Sequence, residues 1–158
     1  MNTAYVALGA NLGNPRATVL AAFAALANLP ESRVARCSSL YRTAPVGILS
    51  QPDFVNAVAV LETTLPPEAL LDALLDIEAR FGRVRRERNG PRTLDLDLLL
   101  YDDIELDLPR LTLPHPRLHL RAFVLLPLAE VAPDLAIPRR GSLAAWLPAV
   151  ANQGIVRL

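Results

Sequence analysis

The chain has 158 residues, of which 52% are apolar and 20% charged, and it carries 14 prolines with sixteen basic and sixteen acidic residues. That size and composition suit one compact globular domain spanning residues 1–158, able to bury about 70% of the surface exposed by its unfolded chain without disulfide or structural metal. A formal charge of zero argues against a general nucleic-acid or membrane-surface binder, the lone Cys37 excludes an intramolecular bridge, and the absence of lysine excludes lysine Schiff-base chemistry.

A reducing cytoplasm is the expected compartment. The opening MNTAYVALGANLGN lacks a basic n-region and does not read as a signal peptide, and no run of about 18 apolar residues suggests a membrane span. In chain order, residues 4–9 read as a short buried strand ending at a glycine. Asn14 and Pro15 form an N-cap and N1 pair for a helix in which Val19, Ala22, Phe23 and Leu26 share a face, until Pro30. Residues 33–42 read as one polar edge strand, and FVNAVAVLET (54–63) as an apolar strand interrupted only by Asn56. Pro66 and Pro67 open a second helix with Leu70, Leu74, Ile77 and Phe81 on one face and Gly82 at its C-terminal end.

LDLDLLLY (94–101) supplies the fourth strand, with Leu94, Leu96, Leu98 and Leu100 predicted to face the core. The order strand, helix, strand, strand, helix, strand predicts an α+β fold with a ferredoxin-like βαββαβ core and C-terminal helical and hairpin additions. In the C-terminal third, RAFVLLPLAEVAP reads as helix kinked or divided by Pro127, and SLAAWLPAV as a short helix capped by Ser142.

Charge is distributed unevenly. Residues 80–92 carry six arginines against Glu87, and residues 95–107 carry six acidic residues and no basic one. Asp95 and Asp97 fall one strand repeat apart on one face, a spacing that suits a hard cation such as Mg²⁺. By spacing alone, solvated edge-strand aspartates account for the pair equally well. The adjoining arginines favour a shared polyphosphate ligand, because guanidinium forks match phosphate oxygens while carboxylates hold the bridging Mg²⁺. GANLGN (9–14) is only superficially a phosphate loop, and without lysine no Walker motif exists. His115, between two prolines, is the better candidate of two histidines for donating to phosphate, though a structural histidine fits as well.

RNGPRTLDLDLLL (88–100) resembles the signature of the 6-hydroxymethyl-7,8-dihydropterin pyrophosphokinase family. VALGANLGN, SSLYRTAPVG, QPDFVNAVAVLET and RLTLPHPRLHLRAFVLLPL resemble that family in the same order along nearly the whole chain. The resemblance implies transfer of the β,γ-diphosphate of MgATP to a pterin hydroxymethyl group, releasing AMP, in folate biosynthesis. It implies Asp95 and Asp97 as ligands of two Mg²⁺ ions, and Arg83 and Arg92 as catalytic phosphate contacts. Arg85, His115 and Arg121 would contact phosphates, Glu78 and Thr112 would lie on the nucleotide side, and Leu98 and Leu111 would touch adenine. Gly9, Thr43, Pro45, Val46, Phe54, Asn56 and Phe123 fall where that family binds its pterin.

The residue types suit those roles. Aromatic rings stack on a flat heterocycle, and an amide in an apolar strand reads a pterin edge with both donor and acceptor. Ordinary core packing also accounts for both phenylalanines. The chain departs from the family pattern at Phe54 (often Tyr), at Asn89 (Trp in some members) and at Leu75 (polar in some relatives). ATP and the hydroxymethyl-dihydropterin are the expected partners of a monomer, and residues 83–92 are expected to close over ATP. Two other readings are an Mg-dependent nucleotidyltransferase built on the same D-x-D, and a ferredoxin-like RNA-binding module.

Overall fold

The computed structural model describes residues 1–44, 51–82 and 93–158. Its main sheet is antiparallel. The first strand, β1 (Asn2–Ala10), lies between β4 (Phe54–Thr63) and β5 (Asp95–Tyr101), and both β2 (Ser32–Cys37) and β3 (Tyr41–Thr43) pair with β4 on its other side. Helices α1 (Pro15–Ala27) and α2 (Pro67–Arg80) connect these strands. Asn14 caps α1 as its sequence predicts, accepting the Ala17 amide at 3.2 Å. Gly82, at φ +78°, follows the last residues of α2, where a left-handed backbone ends the helix and a side chain would be strained.

Alternation divides the sheet into two faces. Ala4, Val6, Leu8 and Ala10 of β1, Val55, Ala57, Ala59 and Leu61 of β4, and Leu94, Leu96 and Leu98 pack against Val19, Ala22 and Leu26 of α1 and Leu70, Leu74 and Ile77 of α2. The opposite face carries Ala7, Val58 and Val60 against the C-terminal helix α3 (Ala122–Val131), through Val124, Leu125 and Leu128. Helix α3 covers one end of that face. The other end presents the polar residues described below.

Several expectations change. The first strand is longer at both ends than 4–9. Residues 33–42 form two strands instead of one, because the Ser38 hydroxyl accepts the Val58 amide and the Ser39 amide turns out of the ladder to Glu130. Nor is β3 an edge, since β10 (Ile155–Arg157), which the sequence pattern did not reveal, pairs with it. Leu100 does not share a face with Leu94, Leu96 and Leu98. An irregularity opposite Tyr5 and Val6 skips Leu99, so Leu99 and Leu100 both join the α3 side and Tyr101 returns to the helix side.

Pro127 lies inside one uninterrupted α3 and does not divide it. Ser142 makes no side-chain cap, and its segment forms two 3-10 turns, Leu143–Trp146 and Pro148–Val150, in place of a helix. The expected hairpin additions are present as β6 (Leu106–Asp107) with β7 (Thr112–Leu113), and β8 (Ala136–Ile137) with β9 (Gly141–Ser142).

Candidate active site

Directly opposed residues in an antiparallel ladder point to the same face, so the registers themselves assemble the site. One row crosses four strands: Tyr41 faces Asn56, Asn56 faces Gly9, and Gly9 faces Asp95. On one side of it Thr43 faces Phe54, and on the other Asp97 faces Ala7, which faces Val58. Thr43, Phe54, Asn56, Gly9, Asp95 and Asp97 therefore share the face that α3 leaves partly open.

Asn56 is only 5% exposed, and its Nδ2 donates to the Thr43 hydroxyl at 2.8 Å. Its other amide atom, Oδ1, would stand 3.0 Å from a Cβ added at Gly9, so glycine is what lets the carbonyl lie against β1. The buried amide that a purely apolar strand would not tolerate is thus oriented by a hydrogen bond to β3 and by the space that Gly9 leaves on β1.

Asp95 and Asp97 are half-buried, while Leu94, Leu96 and Leu98 between and beside them are buried on the helix side. The strand carrying them is held from α2, where the buried Glu78 accepts the Leu96 amide at 2.6 Å. Glu78 thus braces the backbone between the two aspartates from the helix-facing side. Leu98 and Leu111 are 3% and 6% exposed and belong to the helix-side core, which leaves only their rims for any ligand. Thr112, next to Leu111, is exposed on β7.

The loop after β7 runs beside β5, with the His115 amide donating to the Leu99 carbonyl at 2.9 Å. His115 Nδ1 accepts the Arg117 amide at 3.2 Å, which leaves the proton of the neutral ring on Nε2. Burial, aided by Arg121 and Arg117 against the opposing charge of Asp95, lowers its pKa to about 4. At neutral pH it is an uncharged donor. Arg121 precedes α3 and its guanidinium stands 5.3 Å from the Phe123 ring centre, a cation–π contact that fixes both at the α3 end of the site. Among the described residues no ring contact joins Phe54 to Phe123.

Pro45, Val46, Arg83, Arg85 and Arg92 lie outside the described residues, as do Asn89 and the remainder of 83–92. Three contributors escaped the sequence reading. Asn11, 2% exposed, donates to the Gln51 side chain at 2.8 Å and the Pro52 carbonyl at 3.0 Å, anchoring the approach to Phe54. Tyr41 and Glu130 form the other missed pair, the Tyr41 hydroxyl donating to the carboxylate at 2.7 Å. Only Asn11 had a local signal, as a polar residue in the turn after β1.

Residues 5–133 match the family model described as 7,8-dihydro-6-hydroxymethylpterin-pyrophosphokinase. The 2-amino-4-hydroxy-6-hydroxymethyldihydropteridine pyrophosphokinase of Pseudomonas aeruginosa is 53% identical over 154 residues, covering 98% of this chain and 95% of that protein. Its namesake from Haemophilus influenzae is 44% identical over 158 residues, covering 100% and 99%. Among solved structures, wild-type Plasmodium falciparum HPPK-DHPS with pteroate matches the fold at a TM-score of 0.75 and 15% identity. The match covers 93% of this chain and 42% of that one, so the chain spans less than half of that larger protein. With the family model matched from β1 through α3, and two relatives alike over nearly their whole lengths, the chain belongs to the 7,8-dihydro-6-hydroxymethylpterin-pyrophosphokinase family.

Proposed function

We propose that the chain transfers the β,γ-diphosphate of ATP to the hydroxymethyl group of 6-hydroxymethyl-7,8-dihydropterin, releasing AMP, as a step of folate biosynthesis. The observation that carries this reading is the row Asn56, Gly9, Asp95, which sets a heterocycle-reading amide two strands away, across Gly9, from a carboxylate suited to a phosphate-bound cation. The hydroxymethyl oxygen bonds to the β-phosphorus as the bond from that phosphorus to the α,β-bridging oxygen breaks. AMP leaves with the electron pair, and the hydroxyl proton is lost to solvent or to a phosphate oxygen.

Asp95 and Asp97 fit Mg²⁺, being two half-buried carboxylates on one face. Among the described residues no group of three or more His, Cys, Asp or Glu could hold an ion, so the remaining oxygens would come from phosphate and water. Two ions are proposed with ATP bound. When bound, Mg²⁺ neutralises phosphate charge and polarises the phosphorus under attack.

The other roles belong to the chain. Asn56 and Thr43 hold the pterin edge and Phe54 and Phe123 its faces, with Gly9, Pro45 and Val46 completing the pocket. Arg121 and the neutral His115 donate to phosphate oxygens, and Arg83, Arg85 and Arg92 add positive charge there. Thr112 and the rims of Leu98 and Leu111 take the nucleoside, and Glu78 acts on it through β5. Alignment and charge compensation suffice for such a transfer, and no general base is required.

The strand order, with β1 and β4 central and α1 and α2 on one face, supports the ferredoxin-like description of the core. An RNA-binding module is disfavoured, since carboxylates on that open face would repel a phosphate backbone. The same reading takes residues 1–158 as one domain and a cytoplasmic monomer; among the described residues no helix is long and apolar enough to cross a membrane. Replacing Asp95 or Asp97 by alanine tests the assignment. Turnover at saturating Mg²⁺ should fall on the order of a hundredfold or more while the fold persists. Near-normal turnover in both variants would defeat it.

A further inference from the structure

The Asn56 amide is aimed by Thr43, and Thr43 sits on a strand of only three residues. That strand, β3, is flanked by β4 and β10 through three residue pairs each. A third tether comes from α3. The Glu130 carboxylate accepts the Ser39 amide at 3.0 Å to each oxygen, the Ser39 hydroxyl at 2.9 Å and the Tyr41 hydroxyl at 2.7 Å, and Arg157 of β10 stands 3.5 Å away. One side chain thereby joins α3, the turn into β3, β3 itself and β10.

Tyr41 is the member of the site row directly opposite Asn56, so the tether enters that row at its outer strand. Glu130 lies seven residues after Phe123, about 10 Å along the helix axis. It therefore acts through β3 and not by touching the ligand.

We infer that Glu130 is a positioning residue for the pterin: by clamping Ser39 and Tyr41 it sets the place of β3, hence of the Thr43 hydroxyl, hence of the Asn56 amide. The clamp is matched chemically. Burial and the bond to Glu130 push the Tyr41 hydroxyl up to about 12, so it remains a donor. Burial would raise the Glu130 carboxyl, but the Tyr41 hydroxyl, the Ser39 amide and hydroxyl, and Arg157 outweigh it and hold it below the ordinary value, so it remains a charged acceptor.

The inference rests on Asn56 and Thr43 contacting the pterin, and the test separates the two claims. Michaelis constants for hydroxymethyl-dihydropterin and for MgATP, with thermal midpoints, are measured for Glu130→Ala, Tyr41→Phe, Asn56→Ala and Val131→Ala. Glu130→Ala should raise the pterin constant about tenfold and leave the MgATP constant within about twofold, with Tyr41→Phe shifting it less in the same direction. Val131→Ala, which thins the α3-side core next to Glu130 but keeps the carboxylate that bonds Ser39 and Tyr41, should lower the thermal midpoint with no such split.

If Glu130→Ala does not fold, Tyr41→Phe and Glu130→Gln carry the test, and an unchanged pterin constant in both overturns the inference. Equal changes for the two substrates, or a pterin shift reproduced by Val131→Ala, would reduce Glu130 to a structural role. No pterin effect in Asn56→Ala would overturn the site reading and this inference with it. A pterin effect in Asn56→Ala without one in the Glu130 and Tyr41 variants would overturn this inference alone.

Discussion

Gly9 and His115 show what single residues contribute. A methyl group at Gly9 would meet the Asn56 carbonyl oxygen at 3.0 Å, tighter than ordinary contact, so either β1 or the amide must shift. Gly9→Ala is expected to raise the Michaelis constant for the pterin by roughly tenfold while the chain still folds; unchanged pterin binding would show that the amide is not the recognition element. His115 has a folded pKa of about 4 against an ordinary value of 6.5, principally because it is buried. The unfolded chain therefore binds this proton more readily. The associated stability is full above about pH 6.5 and declines as pH falls toward 4, by at most about 3 kcal/mol. The imidazole proton resonances should titrate with a midpoint near the folded value, and a midpoint of 6.5 or higher would contradict a neutral donor at physiological pH.

Secondary elements fix where those residues stand. β5 presents its two aspartates because three leucines anchor its opposite side and Glu78 satisfies the Leu96 amide. Glu78→Ala leaves that amide without this acceptor at a cost of about 1–3 kcal/mol. Turnover should fall through a displaced carboxylate pair, whereas Glu78→Gln, which keeps an oxygen acceptor, should recover most of the stability. Chemical denaturation of the two variants beside the parent measures the difference, and equal stabilities would remove the bracing role. Leu74, fully buried on α2, supports the same sheet face. Leu74→Ala should destabilise by about 2–5 kcal/mol, and a loss below about 1 kcal/mol would mean that this core collapses around the cavity.

At the scale of the whole molecule, local patterns were legible and long-range tethers were not. The apolar run around Asn56 and the repeat of α2 announce themselves through short-range periodicity, and each forms where expected. The alternation of β5 misleads beyond Leu98, because the irregularity that turns Leu99 and Leu100 to the other face arises in pairing with β1. Glu130 and Ser39 are 91 residues apart, and β10 is three residues long, so neither leaves a periodic mark. Asp95 and Asp97 were readable as a pair, but their alignment with Gly9 and Asn56 emerges only from two strand registers. The central claim joins that alignment to diphosphoryl transfer, and the nucleotide left behind tests it most directly. With ATP, Mg²⁺ and 6-hydroxymethyl-7,8-dihydropterin, phosphorus NMR should show AMP and a pterin-linked diphosphate forming in equal amounts; ADP with a pterin monophosphate, or free pyrophosphate with a pterin–AMP ester, would contradict it.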